Sequence, residues 1–566
     1  MLRTSLFLIS LLLSSVFCLE NINEEFEEYL SIKSLRDGRV TSSFSFTTLL
    51  RDAIPRDPRT LAFDDDTSQH YTLFPLSLGQ ILRQYAITEL HLTLNAGKWN
   101  YDTWGYPDEP DVGVGAELRA WMAGDSISSI DERWQGVRNA LAGLFCASLG
   151  SLDEQRTTSP RLSFPPEGAL PDWGLPHELR HASHASEHVC TENLTPFLKL
   201  LPCKSLSGLA TLLNPHRIFD ADWHGIGLHV LWRPEGVEVR LNVQLVFDPL
   251  RISAQGKQDW SFHSLFDRKV EKACPVASST RVSVELPNSG VYRVYPEPQE
   301  IRDGKAYYSL KNNNEAWNIG TMWPTDFEYR ICHAALSSPD PALVPFSVTR
   351  NLLGPTQDRG QLSIVLTNNQ QDTLQLLYLE TMPWIVQFYL HTIRVHSDNV
   401  PRDDLISNIS YVLPVPHARP ATFESVLTLP GRSTLTFTMD VAKAFLRYTE
   451  HPPDAQRGWD LPPAIFTPLN QSLNGSMSLG SRVYTPSLLV DLATPDFSMP
   501  YNVIIFTCSV MAFIFGSVFN VLTRKFIVVR VRPDPPRNQS VGTEKRLEDT
   551  DSDTLNELNT SKSGVH

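Results

Sequence analysis

In particular runs of the chain, apolar and polar residues alternate. The clearest run is Val237, Val239, Leu241, Val243, Leu245 and Phe247, interleaved with Glu238, Arg240, Asn242 and Gln244. A period of two puts successive side chains on opposite faces, so this run predicts a half-buried antiparallel strand. Leu435, Phe437 and Met439 alternate with threonines in the same way. Leu362–Leu366 and Leu374–Val395 supply further strand material, the second broken at Pro383. Helical spacing is rarer. Trp134, Val137, Leu141, Leu144 and Phe145 recur every three to four residues and predict a helix within Asp131–Leu149. Ser77–Leu94 reads as a helix running into a strand. Acidic Glu20–Leu35 is helix-compatible, with Ile22, Phe26, Tyr29 and Leu30 near one face. Many of the 41 prolines fall between these runs, which suits sandwich loops better than long helices. The pattern predicts a mainly β (α+β) chain: β-sandwich-like domains with a few helices.

Two stretches break the alternation by being apolar with few polar residues, Ser10 in the first and Thr507, Ser509, Ser517 and Asn520 in the second. Leu6–Leu13, behind Arg3 and ahead of Val16 and Cys18 as −3 and −1 positions, has the form of a secretory signal. It is too short to cross a bilayer. Val503–Leu522 is twenty residues without a charge. At about 1.5 Å per residue such a helix just spans a hydrocarbon core of about 30 Å. Arg524, Lys525, Arg530, Arg532 and Arg537 follow, a cluster that stays cytoplasmic. The expected organisation is a signal peptide at 1–18, a mixed α/β luminal region at 19–220, and a β-sandwich-like region with a membrane-proximal segment at 221–502. A transmembrane helix at 503–522 and a disordered cytosolic tail at 523–566 complete a single-pass type I protein.

Charge adds to this picture. The 566 residues carry 49 Lys+Arg against 63 Asp+Glu, a net of −14. The acidity opposes nucleic-acid binding, which needs a basic face to displace counterions. The tail is close to neutral, with 8 basic and 7 acidic residues, so the outer portion carries the excess. Asn193, Asn408, Asn470 and Asn474 open N-x-S/T acceptor triplets on the outer side, and Asn470–Gly480 reads as an exposed, glycosylated loop. Asn538 and Asn559 open the same triplet, but on the cytosolic side, where they stay bare.

Three groups of residues carry candidate chemistry. His177-Glu-Leu-Arg-His181 matches H-E-x-x-H, which on a helix aims two histidines at one zinc with Glu178 activating water. A luminal zinc peptidase is therefore one alternative. Against it, Arg180 would lie in the helix, His184 and His188 do not extend the motif, and Pro176, Ser183 and Ser186 suggest an exposed irregular His-rich loop. A cell-surface adhesion or receptor module is another alternative. Five cysteines lie outside, Cys146, Cys190, Cys203, Cys274 and Cys332. The odd count leaves at least one without an intrachain partner: an intermolecular link, a free thiol or a buried inert residue. Finally, Thr494–Asn502 enters the membrane between two prolines that hold it extended. Asp496, Ser498 and Asn502 then sit at headgroup depth, where they either hydrogen-bond a lipid-linked sugar or phosphoethanolamine or belong to a stiff stalk anchored by Tyr501.

Several segments resemble the PIG-T family, a subunit of the glycosylphosphatidylinositol (GPI) transamidase. They are Gly143–Leu149 (GLFCASL), Cys190–Cys203 (CTENLTPFLKLLPC), Asp259–Ser261, Glu380–Trp384 (ETMPW) and Thr494–Asn502. The resemblance implies a noncatalytic, largely β-structured luminal scaffold in the endoplasmic reticulum membrane. Its partners would be a caspase-like catalytic subunit, the other membrane subunits and the GPI lipid, with no cofactor. It also implies that Cys190 forms the disulfide to the catalytic subunit. Cys146, Cys203, Cys274 and Cys332 would then be left for two internal bonds in one of three arrangements. The family's lipid-contact positions match Asp496, Ser498 and Asn502. A further family asparagine aligns with Gln456, ahead of Gly458-Trp459. The His177–His188 tract looks like an insertion beside the family motif.

Overall fold

A computed structural model describes residues 24–524 apart from 64–70, 125–127, 188, 253–257, 287–292, 311–315, 323–342, 355, 448–449, 451–457, 472–476 and 494–497. The chain is sheet-rich and divides into two compact units, one ending at Thr494 and the other beginning at Pro495.

The first unit starts with a large sheet. Its strands are β1 (Glu24–Ser34), β2 (Val40–Arg51), β3 (Ile87–Ala96), β4 (Gly115–Ala123), β5 (Thr157–Thr158), β6 (His177–His184), β7 (Trp223–Arg233), β8 (Gly236–Phe247) and β9 (Ser279–Glu285). After β10 (Arg293–Tyr295), β11 (Glu300–Arg302) and β12 (Lys305–Ser309) complete it, while β10 pairs apart with β13 (Gly320–Met322). The eleven strands run β11-β12-β9-β1-β2-β8-β7-β3-β4-β6-β5. The sheet thus takes strands from both sides of position 220, with β7 and β8 near its centre.

Glu20–Leu35 is not a helix. From Glu24 it forms β1, paired with β2 over its whole length and with β9 in parallel. Phe26, Leu30 and Ile32 alternate onto the core face, and the position that breaks the apolar alternation, Glu28, is itself buried there. The 237–247 run is a strand, as alternation predicts, but only its first half is half-buried. From Leu241 to Phe247 both faces are covered. The loop before β4 crosses the second face there, with the Glu109 N–H donating to the Gln244 Oε1 at 3.1 Å.

Helices close the other side. Leu76–Gln84 (α1), Ile130–Phe145 (α2) and Thr191–Leu200 (α3) pack their apolar stripes on the sheet. Trp134, Val137, Leu141 and Phe145 of α2 are buried, the face that their spacing predicts. Ser129 caps α2 by accepting from the Glu132 N–H while Glu132 accepts from the Ser129 N–H.

Residues 346–490 build a two-sheet sandwich. One sheet is Phe346–Leu353, Arg359–Asn368, Thr434–Lys443, Arg394–Ser397 and Val400–Pro401, with Val386–Phe388 alongside. The other is Ile406–Val412, Ala421–Leu429, Leu374–Met382, Ile465–Gln471 and Met477–Leu479, with Val483–Tyr484 alongside. Tyr378, Phe423, Phe437 and Phe466 pack edge-on or stacked at its centre. The Pro383 break falls between the strands Leu374–Met382 and Val386–Phe388, as expected.

The second unit contains one described helix, Ser498–Thr523 (α4), whose Tyr501–Thr523 portion has a mean hydropathy of 2.1 and is long and apolar enough to cross a membrane. Ser498–Asn502 is not extended. It is the first turn of α4, and Pro500 is tolerated because an N–H in a first turn has no intrahelical acceptor anyway. The expected signal peptide and cytosolic tail lie outside the described residues.

Candidate functional site

Cys190 stands at the N-terminus of α3, exposed and without a disulfide partner. Its position is fixed from beneath. Asn193, one turn into the helix, is only 1% exposed. Its Oδ1 accepts the Cys190 N–H at 2.7 Å. Its Nδ2 donates to the carbonyls of Phe145 at 2.9 Å and Cys146 at 3.2 Å. One buried amide therefore joins the start of α3 to the end of α2, where Cys146 terminates the helix in the left-handed conformation (φ 52°). Just beyond the far end of α3, Cys203 is bonded to Cys274, 71 residues on. Of the three arrangements left open for the internal cysteines, the structure selects one pair. Cys146 is exposed and unbonded, and Cys332 lies outside the described residues. The result is a thiol presented on a helix that is braced at both ends.

The same hydrogen bonds bear on glycosylation. The Asn193 amide nitrogen that would carry a glycan is buried and committed to two carbonyls. Asn408 and Asn470 are exposed, and Asn474 lies outside the described residues.

His177–His181 is neither a metal-binding helix nor an irregular loop: it is the first half of β6. On a strand the two histidines and Leu179 share one face, while Glu178 faces away. His181 is buried and both its ring nitrogens are engaged, Nε2 with Glu117 at 2.9 Å and Nδ1 with the Thr158 hydroxyl at 3.2 Å. Phe164 stacks on its ring. The geometry that the zinc alternative requires is not formed by these residues.

Of the four positions matched to lipid contacts, Gln456 and Asp496 lie outside the described residues. Ser498 and Asn502 fall in the first turn of α4, Asn502 exposed.

Nothing in the sequence marks the buried charged layer inside the first unit. Asp111 accepts from Arg119 at 2.6 Å and from Arg482 at 2.8 Å. Glu167 takes the second nitrogen of each, at 2.8 and 3.2 Å. The Tyr484 hydroxyl donates to Asp111 at 3.0 Å. The two guanidinium groups hold the Asp111 carboxyl far below the usual carboxylate range despite its burial. Beside this layer His91 and His229 meet through their Nδ1 atoms at 2.8 Å, and burial pushes both down to about 3, so both are neutral. A second buried pair, Arg350 with Glu380, places the first residue of the ETMPW segment inside the sandwich, with the Tyr378 hydroxyl donating to Glu380 at 2.9 Å. Each of these residues looks like an ordinary surface charge in sequence.

Known proteins are similar to this sequence over most of its length. A family model described as "Gpi16 subunit, GPI transamidase component" matches residues 9–255 and 248–548. The chain is similar to the "GPI-anchor transamidase component PIGT" of Homo sapiens, 33% identical over 564 residues, covering 91% of this chain and 93% of that one. Its Mus musculus counterpart is 34% identical over 559 residues, covering 90% and 91%. The "GPI transamidase component GPI16" of Saccharomyces cerevisiae is 28% identical over 586 residues, covering 92% and 94%.

Proposed function

The chain belongs to the Gpi16 family of GPI transamidase components, and we propose that it serves that complex as a noncatalytic scaffold. In this reading residues 1–18 direct the chain to the endoplasmic reticulum and are removed. Most of the remainder is luminal, α4 crosses the membrane once, and 523–566 are cytosolic. Cys190 forms a disulfide with the caspase-like catalytic subunit. Acyl transfer to the GPI amine runs through the partner's nucleophile. This chain contributes proximity: fixing two reactants relative to each other lowers a barrier without a reactive group of its own. The first turn of α4 and its approach, with Asp496, Ser498 and Asn502, and Gln456 ahead of Gly458, contact the GPI lipid.

The observation that carries the reading is the state of Cys190. It is exposed, unbonded and set on a helix whose two ends are tied down by Asn193 and by the Cys203–Cys274 bond. A thiol on such a support loses little further freedom when it is joined to a partner, which favours a lasting link.

The test is non-reducing electrophoresis of the detergent-solubilised complex from cells carrying Cys190→Ser. The high-mass species is expected to disappear while Cys146→Ser leaves it in place; its persistence in Cys190→Ser would rule out the link. In parallel, Asn502→Ala is expected to lower recovery of GPI lipid with the complex at least several-fold while the subunits still co-purify. Unchanged lipid recovery would remove the lipid contact from the proposal.

A further inference from the structure

The edge of the large sheet beyond β6 is only partly filled. β4 pairs with β6 along its whole length, from Ala116↔His184 to Ala123↔His177. On the other side, β5 pairs with β6 at only two positions, Thr157↔Ala182 and Thr158↔His181. Continued in register, Ser159 would face Arg180 and Pro160 would face Leu179. Pro160 has no N–H to give, and the chain leaves the sheet there. Glu424 of the sandwich draws it away by accepting the N–H groups of Arg161, Leu162 and Ser163 at 2.9 to 3.0 Å. What remains beside His177–Arg180 is a groove of about 770 Å³. One wall is the open strand edge, about 13 Å long at about 3.3 Å per residue. The other is the sandwich segment from Val412 to Thr422.

Three features of this groove point to one kind of occupant. The first is the backbone. The Leu179 carbonyl, facing the edge, accepts from the Arg180 guanidinium at 3.2 Å, the place that the N–H of an added strand would take. The second is apolar lining, from Trp121 and Trp134, in a groove whose other lining residues are mostly polar or charged. The third is the balance of that charge. Arg180 is answered by Asp131 at 2.7 Å and Glu178 at 2.9 Å. Arg161 is exposed and its guanidinium has no partner among the described residues, and exposed Arg419 donates only to the Leu413 carbonyl at 3.3 Å. Glu154, the third carboxylate of the lining, lies close enough to Arg138 to favour its charge, so four arginines line the groove against three carboxylates and the unanswered charge is positive, on an otherwise acidic chain.

We propose that this groove is a docking site for an extended segment of another subunit, which adds a strand to the open edge of β6 and sets an acidic side chain between Arg161 and Arg419. Backbone pairing supplies the affinity, and the two arginines with the tryptophan-lined floor select the segment. Arg180, which covers the edge in the unoccupied chain, keeps it from pairing indiscriminately and swings aside on docking. The inference rests on the scaffold reading, since it needs a partner chain, but not on the Cys190 link.

The test places a photoreactive benzoylphenylalanine at Ser159, beside the open edge, in the full chain expressed within its complex. Irradiation is expected to yield cross-links to one continuous segment of a single co-purifying subunit, containing Asp or Glu. The double variant R161E/R419E is expected to lower that yield by about fivefold. Reversing the acidic residue of the captured segment to Lys or Arg should restore the yield in the R161E/R419E background. Cross-links within this chain, links scattered over several proteins, no link at all, or a yield indifferent to the charge reversal would each overturn the docking site. If the other subunits co-purify, such a result leaves the scaffold reading standing. If none co-purifies with the unsubstituted chain, both readings fall.

Discussion

At the scale of single residues, the least expected position is Glu28. It sits on the core face of β1, 1% exposed. One oxygen accepts from the Thr280 hydroxyl at 2.9 Å and the Leu209 N–H at 3.3 Å, while Oε1 has no partner. Gly208 makes room for it: a Cβ there would come within 2.3 Å of the carboxylate. Burial pushes the carboxyl from 4.5 up to about 7. Between those values the folded chain binds a proton that the unfolded chain does not, so stability from this group is full below about pH 4.5 and is lost as pH rises to about 7. The loss is on the order of 3 kcal/mol. Glu28→Gln keeps an acceptor oxygen and cannot ionise. In thermal unfolding of the detergent-solubilised chain it is expected to stabilise by about 1–3 kcal/mol at pH 8 and to change little at pH 4.5. An equal effect at both values would show that the carboxyl is not the titrating group. The same residue hides the strand in the sequence. A glutamate at the inward position between Phe26 and Leu30 breaks the alternation by which a strand is recognised, and Glu20–Leu35 reads as helix-compatible instead.

At the scale of elements, sequence period identified type well where one face alone is buried. The helix around Trp134–Phe145 and the strand at 435–439 lie where their spacing puts them; the strand material at 362–366 and 374–382 is strand too, although 376–380 is buried on both faces. It failed where local composition was read without its pairing partners. His177–His181 is a strand because β4 offers it a full-length neighbour, a fact that no local window contains. The first turn of α4 accommodates Pro500 because a first-turn N–H has no intrahelical acceptor to lose. Asn193 belongs here too. As part of N-L-T it reads as a glycan acceptor, yet as an element it is the joint between α2 and α3, with its nitrogen shared by two carbonyls. Modification would forfeit both bonds and bury an uncompensated site, so the folded chain is expected to leave Asn193 bare while Asn408 and Asn470 carry glycans. Asn193→Gln should therefore give no mobility shift on electrophoresis, whereas Asn408→Gln and Asn470→Gln should each run faster, by one glycan. A shift with Asn193→Gln would mean that this asparagine is modified before α3 docks. Because the longer side chain misplaces the amide, Asn193→Gln is also expected to cost about 1–3 kcal/mol in stability.

At the scale of the whole molecule, the C-terminal apolar helix was legible because an uncharged run of that length stands out and is long enough to cross a bilayer, and the sandwich because its strands alternate. How the sandwich is joined to the large sheet was not. Asp111 and Arg482 are 371 residues apart, and nothing local marks either as buried. Around them Trp99, Trp104, Phe164, Trp223, Leu379, Ile465 and Tyr484 form an apolar cluster drawn from both sheets. The aromatic shell excludes water, which makes the ion pairs within it strong and their disruption costly. Removing one partner of such a pair costs about 3–5 kcal/mol, because the remaining charge is left buried. Arg482→Met is expected to show a loss of that size in thermal or denaturant unfolding of the chain. Since the large sheet and the sandwich form one compact unit, both should still melt together. Asp111→Asn alone leaves Arg119 and Arg482 sharing Glu167 as their one carboxylate, an excess of buried positive charge, and should cost as much again. In the double variant the same vacancy is counted once, so the combined loss is expected to fall short of the sum by at least about 1 kcal/mol. Strict additivity, or a separate early transition of the sandwich in the unsubstituted chain, would mean that the charged layer does not hold the two sheets together. It would also remove the rigid wall against which the β6 groove is built, since Glu424, which holds that groove open, belongs to the sandwich side of the same junction.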